Sequence, residues 1–170
     1  MKNIIYATKD LFRNYFKVSG RLSRAGYWWA MLGYLIIDII CVIIGALMDT
    51  QLPSSICSLV FFIPMMTAAI RRFHDCGRST GFYVILVVLE FVFMILIFGA
   101  MFMTAVGAIA ESVGMFGGSL IGIAVGIIGS IVCFVVSFIG LVKASDPGEN
   151  KWGAPVPFDP DESKDEHEVI

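Results

Sequence analysis

The sequence predicts an all-α fold, a four-helix transmembrane bundle with an N-terminal amphipathic helix at the membrane interface. Three observations predict it. Of 170 residues, 58% are hydrophobic and 15% charged, where soluble globular domains carry about a quarter charged residues; the mean hydropathy is +0.84. Four apolar runs, about 27–48, 52–70, 82–104 and 119–142, can each cross a hydrocarbon core of about 30 Å at roughly 1.5 Å per helical residue. All 12 Lys and Arg residues fall before Tyr27, between the second and third runs, or after Val142. Three regions follow: a cytoplasmic amphipathic segment over 1–26, a membrane domain over 27–142, and a partly disordered acidic tail over 143–170.

Residues 4–17 put Ile4, Ile5, Leu11, Phe12, Tyr15 and Phe16 on one helical face and Lys2, Lys9, Asp10, Arg13, Asn14 and Lys17 on the other. Asn3 is the expected N-cap and Gly20 the expected end. Such a helix suits the headgroup region, or it packs on the protein's own cytoplasmic face. Ser23 can cap the first span, whose opening Tyr27-Trp28-Trp29 suits an interface. That run is too long for the core of a cleavable signal peptide, so it is expected to remain as an anchor.

Asp49-Thr50-Gln51 makes a short turn into the second span. Pro64 lies inside that span; it removes a donor, frees a carbonyl and should kink the helix. The basic stretch from Arg71 to Ser79 follows as a hairpin, with Gly77 as the expected helix terminator. In the third span, 15 residues are Leu, Ile, Val or Phe, and their summed insertion energy exceeds the cost of Glu90, about 3 kcal/mol. Residues 105–118 read as a glycine- and alanine-rich loop. In and before the fourth span, Gly114, Gly118, Gly122, Gly126 and Ser130 recur every four residues. They form a smooth ridge for close helix packing within the chain or in a homo-oligomer. The end is acidic, with Asp159, Asp161, Glu162, Asp165, Glu166 and Glu168 beside His167.

The 49–51 turn and the 105–118 stretch carry no Lys or Arg, so the positive-inside rule puts both termini in the cytoplasm. Asp38 and Glu90 lie near the middle of their spans with no cation in the same run. Each is a neutral acid hydrogen-bonded to a neighbouring helix or part of a proton or cation pathway. Arg71, Arg72, His74, Asp75 and Arg78 could hold a lipid phosphate beside an acid–base His. Adjacent His and Asp do not face one another on a helix, however, and the chain has no zinc motif, P-loop or serine elbow. The simpler reading is that these arginines fix topology and touch headgroups, with Arg71 pairing Asp75 at i,i+4. No catalytic residue, metal site or cofactor is expected. Cys41, Cys57, Cys76 and Cys133 have no metal-ligand spacing. The expected partners are the bilayer and its anionic headgroups, with no nucleic acid.

Three motifs resemble those of the DUF805 family: Phe16 through Gly20-Arg21-Leu22-Ser23-Arg24 to Tyr27-Trp28, Arg71 through His74-Asp75 to Gly77-Arg78-Ser79, and Gly148, Asn150, Trp152, Gly153 and Pro155. The resemblance implies a small bacterial inner-membrane protein with no characterised activity. Gly26 stands where an acid is common in the family, and Thr80-Gly81-Phe82 replaces a Gly followed by tryptophans. The resemblance also suggests that Arg21, Arg24, the basic stretch and Asn150 form one cytoplasmic polar cluster centred on Asp75.

Overall fold

A computed structural model describes residues 1–158. It contains five helices: α1 (Lys2–Arg13), α2 (Arg24–Leu47), α3 (Leu52–Asp75), α4 (Thr80–Ile109) and α5 (Val113–Val142). Among the described residues there is no strand, only an isolated bridge between Asn150 and Gly153. Helices α2 to α5 are each long and apolar enough to cross a membrane. The chain forms two compact units: Met1–Thr80 with the chain from Leu141 onward, and Gly81–Gly140.

In the first unit, α1 buries Ala7 and Leu11 and packs on α2 and α3. It lies close against α2 at Gly33, where a Cβ would run into Thr8 Oγ1 and lie 3.3 Å from Ile4 Cγ2. The helix begins with Met1 as N-cap, so Asn3 lies inside it rather than capping it. It also stops at Arg13, short of the expected 17. Asn14 turns its side-chain amide back onto Asp10, donating to the backbone oxygen at 3.1 Å and to Oδ1 at 2.7 Å, which competes with continuing the helix. Ser23 caps α2 as expected, accepting from Gly26 N–H at 3.2 Å.

Pro64 cannot donate to the oxygen of Val60 one turn earlier. The Tyr15 hydroxyl donates to that oxygen at 2.8 Å, and Thr67 Oγ1 donates to the Tyr15 oxygen at 3.1 Å. Phe61 packs edge-on to Phe12, with centroids 5.0 Å apart, and beside Tyr34 at 5.1 Å. The chain after α1 is thus fastened to the gap that the proline makes in α3.

Helix α3 runs on past the apolar stretch that ends at Ile70, as the Gly77 terminator implied, and reaches Asp75, so Arg71, Arg72 and His74 stand in its last turns. The stop is at Gly77, with φ of +76°. Gly77 N–H donates to His74 O and Arg78 N–H to Phe73 O, each at 3.0 Å, the paired closure that a left-handed residue after a helix allows.

In the second unit, the stretch 105–118 is helical except at Ala110–Ser112, so the expected loop is a tight reversal. Alanine and glycine allow the two helix ends to come close: Thr104 and Ser119 hydroxyls lie 2.7 Å apart. Of the glycine ridge, Gly122 and Gly126 seat α4. A Cβ at Gly122 would lie 3.1 Å from Ala100 Cβ, and one at Gly126 would lie 2.5 Å from Ile97 Cγ1. Gly114 and Gly118 have nothing within 4 Å of that position.

Candidate functional site

The densest polar site lies in the first unit, where the last turn of α3 meets the chain leading into α2 and the chain leaving α5. Asp75 is its centre, 1% exposed. Arg21 Nε donates to Asp75 Oδ1 at 2.9 Å and Arg72 Nη1 to Oδ2 at 2.6 Å. The Ser145 hydroxyl also donates to Oδ2. The Asp75 backbone oxygen accepts from Asp146 N–H at 2.8 Å.

Both guanidiniums reach further. Arg21 donates to the backbone oxygens of Gly148 at 2.8 Å, Gly153 at 3.2 Å and Asp146 at 2.7 Å. Arg72 donates to Leu141 O at 3.1 Å and to Lys143 O. Two planar forks therefore bind one carboxylate, the Leu141 oxygen in the last turn of α5 and four backbone oxygens of the chain after α5. Arginine suits this role because five N–H groups diverge from one rigid plane.

His74 does not pair with Asp75. Its Nδ1 lies 3.1 Å from Gly20 O and its Nε2 lies 2.8 Å from Thr80 Oγ1. A backbone oxygen only accepts, so Nδ1 carries the hydrogen and, in the neutral ring, Nε2 accepts from the threonine. The ring stacks on Trp152, with centroids 4.4 Å apart and planes 12° apart. Asn150 donates to His74 O at 3.0 Å and accepts from Trp152 N–H at 3.0 Å.

The pairing of the arginines differs from the expected one. Asp75 takes Arg72, three residues earlier, while Arg71 projects toward α1 and stands 3.6 Å from Asp10. Residues three and four positions earlier both flank Asp75 on a helix; here Arg72 takes it and Arg71 turns to Asp10 of α1. Arg24 is exposed on the first turn of α2, and half-buried Arg78 supplies an N–H to the α3 terminus. Arg21, Arg71 and Arg72 are themselves buried, at 5%, 4% and 0% exposure, so they contact protein rather than open headgroup space. Beside them, burial pushes the Cys76 thiol above its ordinary value, with Arg72 opposing.

Ser145, Asp146 and Asp10 belong to this site and carried no motif signal. Only the turn-forming Asp146-Pro147-Gly148 hinted that the chain reverses there. A cavity of about 380 Å³ lies against the site, between α1, the start of α2, Arg71 and residues 152–158. Among the described residues no group of His, Cys, Asp or Glu is arranged to hold a metal. Asp38 lies in the first unit and Glu90 in the second. Asp38 Oδ1 and Glu90 Oε2 are buried without a hydrogen-bond partner among the described residues.

Four long apolar helices and a buried arginine–aspartate cluster at the terminus of one of them define a multi-pass α-helical membrane protein. The family model for a protein of unknown function, DUF805, matches residues 15–154, and the chain belongs to that family. It is similar to the inner membrane protein YhaI of Escherichia coli strain K12 and of E. coli O157:H7. Each is 36% identical over 72 residues, covering 41% of this chain and 61% of the relative. The chain thus spans about three fifths of the length of the curated relatives it matches. No solved structure matches it.

Proposed function

We propose that this protein is a non-catalytic inner-membrane component, a helical scaffold acting through lipid contacts, with both termini in the cytoplasm. One observation carries the reading. The acid–base groups of the central motif are occupied internally: the oxygens of Asp75 by Arg21, Arg72 and Ser145, and the ring nitrogens of His74 by Gly20 and Thr80. A general acid or base must instead reach a substrate proton. The orientation rests on the Lys and Arg distribution.

Two measurements test this. With the four native cysteines replaced by serine, a membrane-impermeant maleimide applied to spheroplasts should label Gln51→Cys, and Glu149→Cys only after lysis; the reverse pattern overturns the orientation. Purified protein should release no phosphate from phosphatidic acid vesicles. Release that His74→Gln abolishes while the fold persists would make it an enzyme.

A second reading, a small transporter coupling protons or cations, is favoured by the unpartnered oxygens of Asp38 and Glu90. Gradient-driven proton or cation flux in proteoliposomes that is lost in Asp38→Asn or Glu90→Gln would support it. Flux unchanged by both substitutions would remove it.

A further inference from the structure

Arg71 is the one arginine of the buried cluster whose hydrogen bonds do not close. Its side chain is 5% exposed, and among the described residues its one ion pair is the loose contact from Nη1 to Asp10. Nε and Nη2 are buried with no partner among the described residues. These two nitrogens share one edge of the guanidinium, the edge whose parallel N–H groups take both oxygens of an oxyanion at once. Leaving such donors unsatisfied is costly, and each such group in a native structure calls for an explanation.

The cavity that Arg71 lines supplies one. Its charged lining is Lys17, Arg21 and Arg71 against Asp10. Arg21 is balanced by Asp75. Asp10 meets Arg71 through Oδ2, at Nη1, while its Oδ1 accepts from Asn14, so it leaves the Nε–Nη2 edge free. Ser23 and Gly26, at the N-cap and first turn of the 24-residue α2, also line the cavity, adding the positive end of a helix. Apart from Asn14 and Ser19, much of the remaining wall is apolar, with Tyr6, Leu11, Val156 and Phe158 in it. A cationic floor under apolar walls suits an amphiphile with an anionic head. The site lies between the start of one span and the end of the next, the depth at which lipid phosphates sit.

We propose that this cavity binds a phosphate group, the Arg71 guanidinium turning its buried, unpartnered Nε–Nη2 edge onto two phosphate oxygens as the ligand enters, with an anionic phospholipid as its source. This rests on the scaffold reading, because residues 152–158 form part of the wall and the Arg21–Asp75 contacts hold that segment.

The test uses the full chain in nanodiscs of phosphatidylcholine alone, or of phosphatidylcholine and phosphatidylglycerol in equal parts. The lipid retained after detergent extraction is read by native mass spectrometry. In parallel, detergent-solubilised protein is titrated calorimetrically with inorganic phosphate, sn-glycerol 3-phosphate and acetate. Phosphatidylglycerol should be retained in preference to phosphatidylcholine. Arg71→Met should reduce that preference by roughly ten- to a hundredfold, the value of a charge-assisted pair. Asp10→Asn should increase it, because it removes the competing acid. Opposite signs from two neighbouring substitutions separate binding from simple loss of fold.

Phosphate or glycerol phosphate binding that needs Arg71, without lipid preference, would keep the site and change the source to a soluble phosphate ester. Acetate binding alone, or no dependence on Arg71 with any probe, would overturn the proposal. Limited proteolysis of the chain after α5 in the same samples tells the two readings apart. A protected segment with no ligand refutes the cavity's role alone, whereas a segment cut as fast as in Asp75→Ala refutes the scaffold beneath it.

Discussion

Replacing Asp75 with alanine removes the one acidic partner that Arg21 and Arg72, whose side chains are 0% exposed, have among the described residues. Three hydrogen bonds are lost, from Arg21 Nε, Arg72 Nη1 and the Ser145 hydroxyl. The bonds of both arginines to backbone oxygens of the last turn of α5 and of the chain after it remain, so the cations are not wholly stranded. Removing one partner of a buried pair costs about 3–5 kcal/mol. The retained carbonyl bonds argue for the lower end, about 3 kcal/mol. Asp75→Asn keeps an acceptor oxygen and should cost less, about 1–3 kcal/mol. The assay is reversible unfolding in mixed micelles, with protease sensitivity of residues 143–158 as the local readout. A double-mutant cycle of Asp75→Asn with Arg21→Gln should show coupling of roughly 1–3 kcal/mol. If Asp75→Ala unfolds within about 1 kcal/mol of the parent and residues 143–158 stay protected, the cluster does not hold this segment and the reasoning fails.

Tyr15→Phe should cost about 1 kcal/mol by removing the donor to Val60 O. In a Pro64→Ala background the cost should vanish, since the restored N–H at position 64 can take that oxygen; an equal cost in both backgrounds would refute the link. Gly33→Ala should destabilise by about 1–3 kcal/mol by driving a methyl group into Thr8, and unfolding of the Gly33→Ala, Thr8→Ala double variant should recover much of the loss. In the second unit, a Cβ at Gly129 would collide with the Phe93 ring whereas one at Gly118 meets nothing within 4 Å. Gly129→Ala should therefore destabilise, while Gly118→Ala should be neutral or add up to about 1 kcal/mol of helix propensity. Cross-linking of the Gly118→Ala form would show whether the open half of the ridge serves a homo-oligomer, because a lost oligomer is the expected sign of such packing.

Composition and the placement of cations determined the class of this protein and its number of spans, because a bilayer enforces both conditions locally. A span needs a long apolar run whatever its neighbours do, and its backbone bonds close within the helix. The Ser23 cap and the Gly77 terminator were legible for the same reason, each being set by a few consecutive residues. The freed carbonyl at Pro64 could be foreseen, but not that Tyr15 would take it. That contact joins residues 45 positions apart. Features that depend on contacts between distant segments are less legible in sequence. The 105–118 stretch looked like a loop because its glycines and alanines are poor span formers, yet close packing against a partner helix is what small residues permit. Arg71 and Arg72 are indistinguishable in sequence. Only the chains packed around the end of α3 gave Arg72 to Asp75 and turned Arg71 to Asp10, leaving its Nε and Nη2 unpartnered in a residue that lines the cavity. Sequence fixes what each residue can donate or accept; which of those donors finds a partner is decided by the tertiary structure, since the partners come from segments far apart in the chain.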